Sequence, residues 1–117
     1  MTEQPKKLLS PFSVEITNPT GVATVVHTGF PVNGDYGGTS DPGVMIDVKL
    51  TYVNPTGNNF STGKLVPEDP ANQAYSRLFS NVDPTAEPQR GLLTAFLYDP
   101  SGNILLAQST TIEVIIV

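Results

Sequence analysis

Hydrophobic and polar residues alternate with a period of two along several short segments of the chain. Between 44 and 53 one face carries Val44, Ile46, Val48, Leu50 and Tyr52, and the other carries Met45, Asp47, Lys49, Thr51 and Val53. This alternation is typical of a strand that buries one face, so we expect a central strand with a largely solvated second face. The pattern also predicts strands over 12–17, 22–28, 91–98, 103–108 and 110–117, and a weaker one over 60–66 that Gly63 interrupts.

A turn of the form [Asn/Asp]-Pro-[Thr/Ser]-Gly occurs three times, at 18–21, 54–57 and 99–102. Proline presets φ in such a turn, and the glycine takes the left-handed conformation that closes it. We expect the first and third tetrads each to join the predicted strands on either side in a hairpin. The middle tetrad opens onto a proline-rich excursion and lacks a convincing returning strand.

Three segments depart from the strand pattern. Five glycines and two prolines between 29 and 43 predict a loop, and prolines at 84 and 88 predict another over 81–90. Between them, 69–79 resembles a short amphipathic helix near residues 70–79, with Asp69 as its N-cap and Pro70 at its first position. Its apolar face would consist of Ala71, Ala74, Tyr75 and Leu78.

These elements predict an all-β protein, an antiparallel two-sheet β-sandwich of immunoglobulin-like or jelly-roll type with that one short helix. The 117 residues match the size of one domain, and 11 prolines with 10 glycines exclude a helix bundle. We assign 1–11 to a polar N-terminal arm and 12–117 to the single domain.

The charge balance excludes some partners. Six basic residues against eleven acidic ones give a net charge of −5, and Lys6-Lys7 is the only adjacent basic pair. Nucleic acid and anionic membrane surfaces are therefore poor partners. Because there is neither a secretory h-region nor an apolar run of ~20 residues, we expect a soluble protein, cytoplasmic or released by a non-standard route.

Catalytic chemistry is hard to assemble from these residues. The sequence has no cysteine, no Gly-x-Ser-x-Gly motif and a single histidine, His27, which is as well explained by packing. Lone carboxylates such as Asp47 and Glu113 remain, with nothing to pair them. We therefore expect a protein that is not an enzyme and has no cofactor, with calcium as the one cation to weigh at Asp35 and Asp41.

The 29–43 segment offers a candidate ligand site. Phe30 and Tyr36 are aromatic, and Asp35 and Asp41 supply carboxylates, a combination that suits stacking on a sugar. The competing interpretation is that both rings pack the segment onto the domain. A small carbohydrate-binding, lectin-like module, with or without calcium, is thus the alternative function.

The last predicted strand is apolar on both faces up to its final residue. Its candidate self-association residues are Ile112, Val114, Ile115, Ile116 and Val117. Such a strand is explained either by burial between a sheet and a helix or by contact with another subunit. The leading hypothesis is a non-enzymatic structural or interaction protein that self-associates through β-sandwich surfaces, for instance in a virion or other assembly. Its partner would be itself or another assembly protein.

Overall fold

The computed structural model describes residues 11–53, 59–82 and 88–117. The N-terminal arm, apart from Pro11, and the middle tetrad lie outside these residues. The strands are β1 (Ser13–Asn18), β2 (Ala23–Val25), β3 (Gly29–Gly37), β4 (Met45–Tyr52), β5 (Asn59–Ser61), β6 (Ala74–Ser80), β7 (Gln89–Tyr98), β8 (Leu105–Gln108) and β9 (Ile112–Ile116). One 3-10 turn covers Pro70–Asn72.

Two sheets pack against one another, as the alternating pattern predicts. The smaller sheet has the order β1-β3-β6, and the larger has the order β2-β9-β7-β4-β5, with β8 also paired to β7. The core between them is formed by aliphatic and aromatic side chains of both sheets, among them Val14, Val32, Tyr75, Ile46, Leu50, Leu93, Leu97, Val114 and Ile116. No helix of the described residues is long and apolar enough to cross a membrane.

Strand β4 is central in the larger sheet, as expected, because β5 and β7 flank it. Its outward face is less solvated than the sequence suggests, since Asp47 is buried there. The Ser61 hydroxyl donates a hydrogen bond of 2.6 Å to its carboxylate. A hydrogen bond from a neighbouring strand thus compensates part of the cost of burying this carboxylate.

The first tetrad does not form the expected hairpin. β1 pairs with β3 in the smaller sheet, whereas β2 pairs with β9 in the larger sheet, in parallel. The fold is therefore not purely antiparallel. Gly21 has the predicted left-handed conformation (φ +63°), and the Asn18–Pro19 peptide bond is cis. The predicted glycine conformation is therefore present, but the strands on either side of it join different sheets.

The hairpin predicted at the third tetrad is confirmed. It joins β7 to β8, which pair antiparallel, and Gly102 is left-handed (φ +77°). The Gly102 amide donates to the Asp99 carbonyl, and the Asp99 carboxylate accepts from Ser101 Oγ at 2.6 Å. The hydrogen bond from Ser101, and after it those from backbone amides such as that of Ile104, lower the pKa of the Asp99 carboxyl group.

The loop predicted over 29–43 is wrong for its first nine residues, which form β3. The inward positions are Phe30, Val32, Gly34 and Tyr36, so the period of two is intact but one core position is a glycine. Pro31 is tolerated because it points outward and precedes Asn33, the first residue of β3 that pairs with β1. The missing N–H of proline therefore leaves the β1–β3 pairing intact.

The helix predicted over 69–79 is also wrong. Asp69 does cap a turn that starts with Pro70, since its side chain accepts from the Asn72 amide. Gln73 then takes a left-handed conformation (φ 51°), and the chain continues as β6. In that strand Tyr75, Arg77 and Phe79 point inward. An arginine at an inward position hides the alternation that would otherwise have predicted a strand.

Candidate self-association surface

The final strand is divided between the core and the surface. Val114 and Ile116 are fully buried, and Ile112 packs against the core. Ile115 lies on the outer face of the larger sheet, and the exposed Val117 follows the strand. Because β9 lies between β2 and β7, its backbone edges are both paired. Any contact through this strand must therefore use its outward side chains.

Two valines flanking β2 extend this outward apolar surface. Thr24 lies opposite Ile115 in the register, so Val22 and Val26 fall on the same side of the sheet. Val22 is 68% exposed, Val26 51% and Val117 40%. We call Val22, Val26, Ile115 and Val117 the β2–β9 patch. Three of its four side chains are exposed, and by the strand register they lie on one face of two paired strands, around Thr24.

The end of the chain is anchored beside this patch. The Val117 amide donates to the Val25 carbonyl, and the Val117 carbonyl accepts from the His27 amide at 2.8 Å. The His27 ring nitrogen Nδ1 lies 2.9 Å from the same carbonyl. His27 therefore contacts the last residue of the patch through both its backbone amide and its ring.

An ion pair lies next to the patch. Arg90, opposite Ile115 in the register, donates from Nε and Nη2 to the Glu113 carboxylate at 2.7 and 3.2 Å. The hydrogen bond from Arg90 lowers the pKa of Glu113. The carboxylate therefore keeps its charge into moderately acidic solution, and the two-pronged contact fixes the orientation of the guanidinium.

Aromatic rings and lysines occupy the other half of this face. Phe96 and Tyr98 point outward from β7 and are partly buried. Lys49 Nζ lies 5.3 Å from the centroid of Phe96, and Lys64 Nζ lies 4.3 Å from that of Tyr98. Lys64 also donates to the Gly102 carbonyl at 2.7 Å. Both ammonium groups are within cation–π range and remain at the surface.

The four residues of the candidate ligand site are not brought together on one surface. Phe30 and Tyr36 are buried on the inward face of β3, where Phe30 stacks on Phe79 with centroids 5.4 Å apart. Asp35 is exposed on the opposite face of the same strand. Asp41 lies beyond β3, and its carboxylate accepts from the Gly43 amide at 2.8 Å. Across the described ranges no three Asp, Glu or His side chains are grouped to hold a metal ion.

A shallow groove of about 340 Å³ lies beside β2, at the point where the chain crosses between the sheets. Its lining consists of Asn18, Pro19, Ala23, Thr24, Val25, Val26, Gly29, Phe30 and Pro31. The lining is largely apolar and contains no acid or base, so the groove offers no chemistry for a reaction.

On the smaller sheet, Tyr75 forms a buried contact that predicts a pH response. Its hydroxyl donates to the Glu15 carbonyl at 2.8 Å. Burial, and next the Asp35 carboxylate, raise the pKa of Tyr75 above its ordinary value of 10.0. A group whose pKa is raised in the folded state contributes stability that is complete below the unfolded pKa and is lost as pH rises above it.

We therefore expect the free energy of unfolding to fall as pH rises above about 10, because unfolded Tyr75 ionises before folded Tyr75 does. Urea denaturation across this pH range measures the slope. In Tyr75→Phe the slope should be shallower, with a residual part from Tyr36, whose pKa is also raised by burial and then by Asp69. An equal slope in both proteins would contradict this account.

Of the β2–β9 patch, Ile115 and Val117 are among the candidate self-association residues that the sequence predicts. Val22 and Val26 fall in the strand predicted over 22–28, which the pattern pairs with 12–17 in a hairpin. The signal that could have identified them is that Val22, Thr24 and Val26 alternate on one side of the strand and leave two valines outward. This alternation indicates a shared surface only when β2 is known to pair with the last strand.

No protein-family model matches the chain, and no curated protein matches it. Among solved structures the fold is common, with 226 matching chains. One of them, a crystal structure of an engineered protein, has a TM-score of 0.57 and 20% sequence identity. The match covers 89% of this chain but only 20% of that one. At this identity the likeness shows the fold alone.

Proposed function

We propose that this protein is a non-enzymatic structural and interaction protein that self-associates through the outer faces of its sheets. The observation that carries the proposal is the β2–β9 patch, in which exposed aliphatic side chains from both ends of the domain form one surface. Burial of such side chains against a second copy is favourable by about 25 cal/mol for each Å² removed from water.

The charge on the same face supports a second copy as the partner. The chain carries a net charge of −5, yet Lys49, Lys64 and Arg90 all lie on or over the outer face of the larger sheet. An acidic chain that presents basic groups on the same face as an apolar patch is complementary to the rest of its own surface. The carbohydrate-binding alternative draws no support from the geometry, because Phe30 and Tyr36 are buried.

We also propose that the two sheets form an immunoglobulin-like sandwich. The order β2-β9-β7-β4-β5 opposite β1-β3-β6 resembles the variable-type arrangement, in which an extra strand joins the sheet of the last strands. The first strand is divided between the two sheets as β1 and β2. A crystal structure in which β2 paired within the smaller sheet would contradict this assignment.

Replacing Val22, Val26 and Val117 together with threonine tests the self-association. Threonine keeps the β-branched shape of valine but makes the patch polar, so the folded monomer should persist and its association should weaken about tenfold or more. Sedimentation velocity over a concentration series measures the change, and circular dichroism checks the fold.

The matched control is Ile104→Thr, which removes an aliphatic side chain of similar exposure beside the β7–β8 turn. We expect the control to associate like the native protein. The proposal fails if the native chain remains monomeric at all concentrations, or if the triple variant and the control associate equally.

A further inference from the structure

Resting on the proposed function, we propose that copies stack front to back. The outer face of the smaller sheet of one copy binds the outer face of the larger sheet of the next. Three properties of the two faces support this stacking: the sign of their charges, the position of their exposed apolar side chains, and the distance along the strands between charged and apolar sites.

The larger sheet presents the more basic face, because its two outward carboxylates are a buried Asp47, bonded to Ser61, and Glu113, paired with Arg90. Of the four described basic residues, Arg77 is buried between the sheets, and the other three lie on or over the outer face of the larger sheet. Two of those, Lys49 and Lys64, contact aromatic rings rather than carboxylates. Their positive charge is not neutralised by an ion pair with a described residue of the chain, so it is available to an acidic partner.

The smaller sheet presents the acidic face. Glu15 and Asp35 are exposed, lie directly opposite each other on β1 and β3, and share no ion pair with a described basic residue. Like charges at directly opposed positions are destabilising within a sheet. A lysine from a neighbouring copy relieves this repulsion, which makes the pair favourable in an assembly although it is unfavourable in the monomer.

Each face also has an exposed apolar site. On the smaller sheet Leu78 is 67% exposed and lies opposite Pro31. On the larger sheet the corresponding site is the β2–β9 patch. Contact between Leu78 and this patch would remove the most exposed aliphatic side chain of β6 from water.

Measured along the strand direction, the charged and apolar sites are separated by the same distance on both faces. Along β3, Pro31 and Asp35 are four residues apart. Along β7, the partners of Ile115 and Lys49 are Arg90 and Thr94, again four residues apart. Four residues of strand span about 13 Å, so one docking position can place acid on lysine and Leu78 on the patch together.

Because the two contacting faces are different, the interface is heterologous. Such an interface forms rings where the rotation closes and open stacks where it does not, whereas a contact between two identical faces stops at a dimer. We therefore expect association to continue beyond the dimer, and to weaken as salt screens the charged contacts over a Debye length of about 10 Å at 0.1 M.

A pair of charge-reversed variants tests the stacking. The first, Glu15→Lys/Asp35→Lys, makes both of its faces basic, and the second, Lys49→Glu/Lys64→Glu, makes both acidic. Each alone should associate at least about tenfold more weakly than the native protein, because its two faces repel. An equimolar mixture should assemble, since each face of one variant complements the opposite face of the other.

Sedimentation velocity of the two variants and their mixture distinguishes the outcomes. If Glu15→Lys/Asp35→Lys associates like the native protein, or if the mixture fails to assemble, stacking is wrong while the proposed self-association stands. A monomeric native chain overturns both. Should a reversed variant fail to fold by circular dichroism, Glu15→Gln/Asp35→Asn removes the charge at nearly constant size, and unchanged association by it would overturn the stacking.

Discussion

Replacing Arg77 with methionine is expected to lower the free energy of unfolding by about 3 kcal/mol. The Arg77 side chain is only 3% exposed and spans the space between the sheets. It donates to the carbonyls of Ile46, Leu65 and Val66 at 2.5, 2.9 and 3.1 Å, and to Glu68 at 2.7 Å. Methionine fills much of the volume but removes all of these hydrogen bonds from the guanidinium, and the Ile46 and Leu65 carbonyls then keep the amide hydrogen bonds that these two residues exchange.

The effect of Arg77 lies in its hydrogen bonds more than in its charge. Glu68 is 42% exposed, so loss of the ion pair alone is partly compensated by water. Urea denaturation should therefore rank Glu68→Gln as the mildest change, Arg77→Lys as intermediate and Arg77→Met as the most destabilising. Lysine keeps the charge but cannot reproduce the planar fork that reaches several carbonyls.

Arg90→Met is the matched control for Arg77→Met. Arg90 also forms a two-pronged contact with a carboxylate, but at the surface of the larger sheet. We expect little change in stability from this control. If the two substitutions lower the free energy of unfolding equally, burial of Arg77 does not matter. That result would contradict the stabilising role assigned to its hydrogen bonds with residues 65–68.

The second large effect is expected for Gly34→Ala in β3. A Cβ at this position would overlap the Glu15 carbonyl and the hydroxyl end of the Tyr75 ring. Tyr75 is itself buried and bonded to Glu15, so neither neighbour can move without breaking that contact. We expect a loss of about 3 kcal/mol in the free energy of unfolding, as for severe overpacking of a core.

Gly37→Ala in the same strand is the control for Gly34→Ala. The added Cβ there would meet only the Ser13 hydroxyl, 2.9 Å away, and a serine side chain can rotate. We expect a loss below about 1 kcal/mol from this control, measured by the same urea denaturation. If both alanine variants are equally stable, Tyr75 does not pack over Gly34 as described.

These two residues also explain which elements could be predicted from the sequence. β4 and β9 have an aliphatic or aromatic residue at every inward position, and β7 has Leu93, Ala95 and Leu97 in succession after an inward Gln89 and Gly91, so alternation alone predicts these strands. In β3 and β6 the inward series is interrupted in its middle, by Gly34 and Arg77. Each interruption depends on a tertiary contact: the Tyr75 ring lies over Gly34, and Arg77 donates to Ile46 and to the 65–68 segment.

Only part of the candidate surface can be predicted from the sequence, because the rest depends on contacts between residues that are distant along the chain. The apolar character of Ile115 and Val117 is visible in the sequence of the last strand. Their continuation in Val22 and Val26 depends on a parallel pairing between residues about 90 positions apart, which no local pattern encodes. The turn tetrads predict left-handed glycines at Gly21 and Gly102, but the strands on either side pair with each other only at the third tetrad.

The most direct test of the central claim is a concentration series of amide NMR spectra of the native protein. If the outer face of the larger sheet is the association surface, resonances of Thr24, Val26, Ile115 and Val117 should shift or broaden together as concentration rises. Buried residues such as Val48 and Leu93 should remain unchanged. Spectra that do not depend on concentration, or changes confined to residues away from the outer faces of both sheets, would contradict the claim.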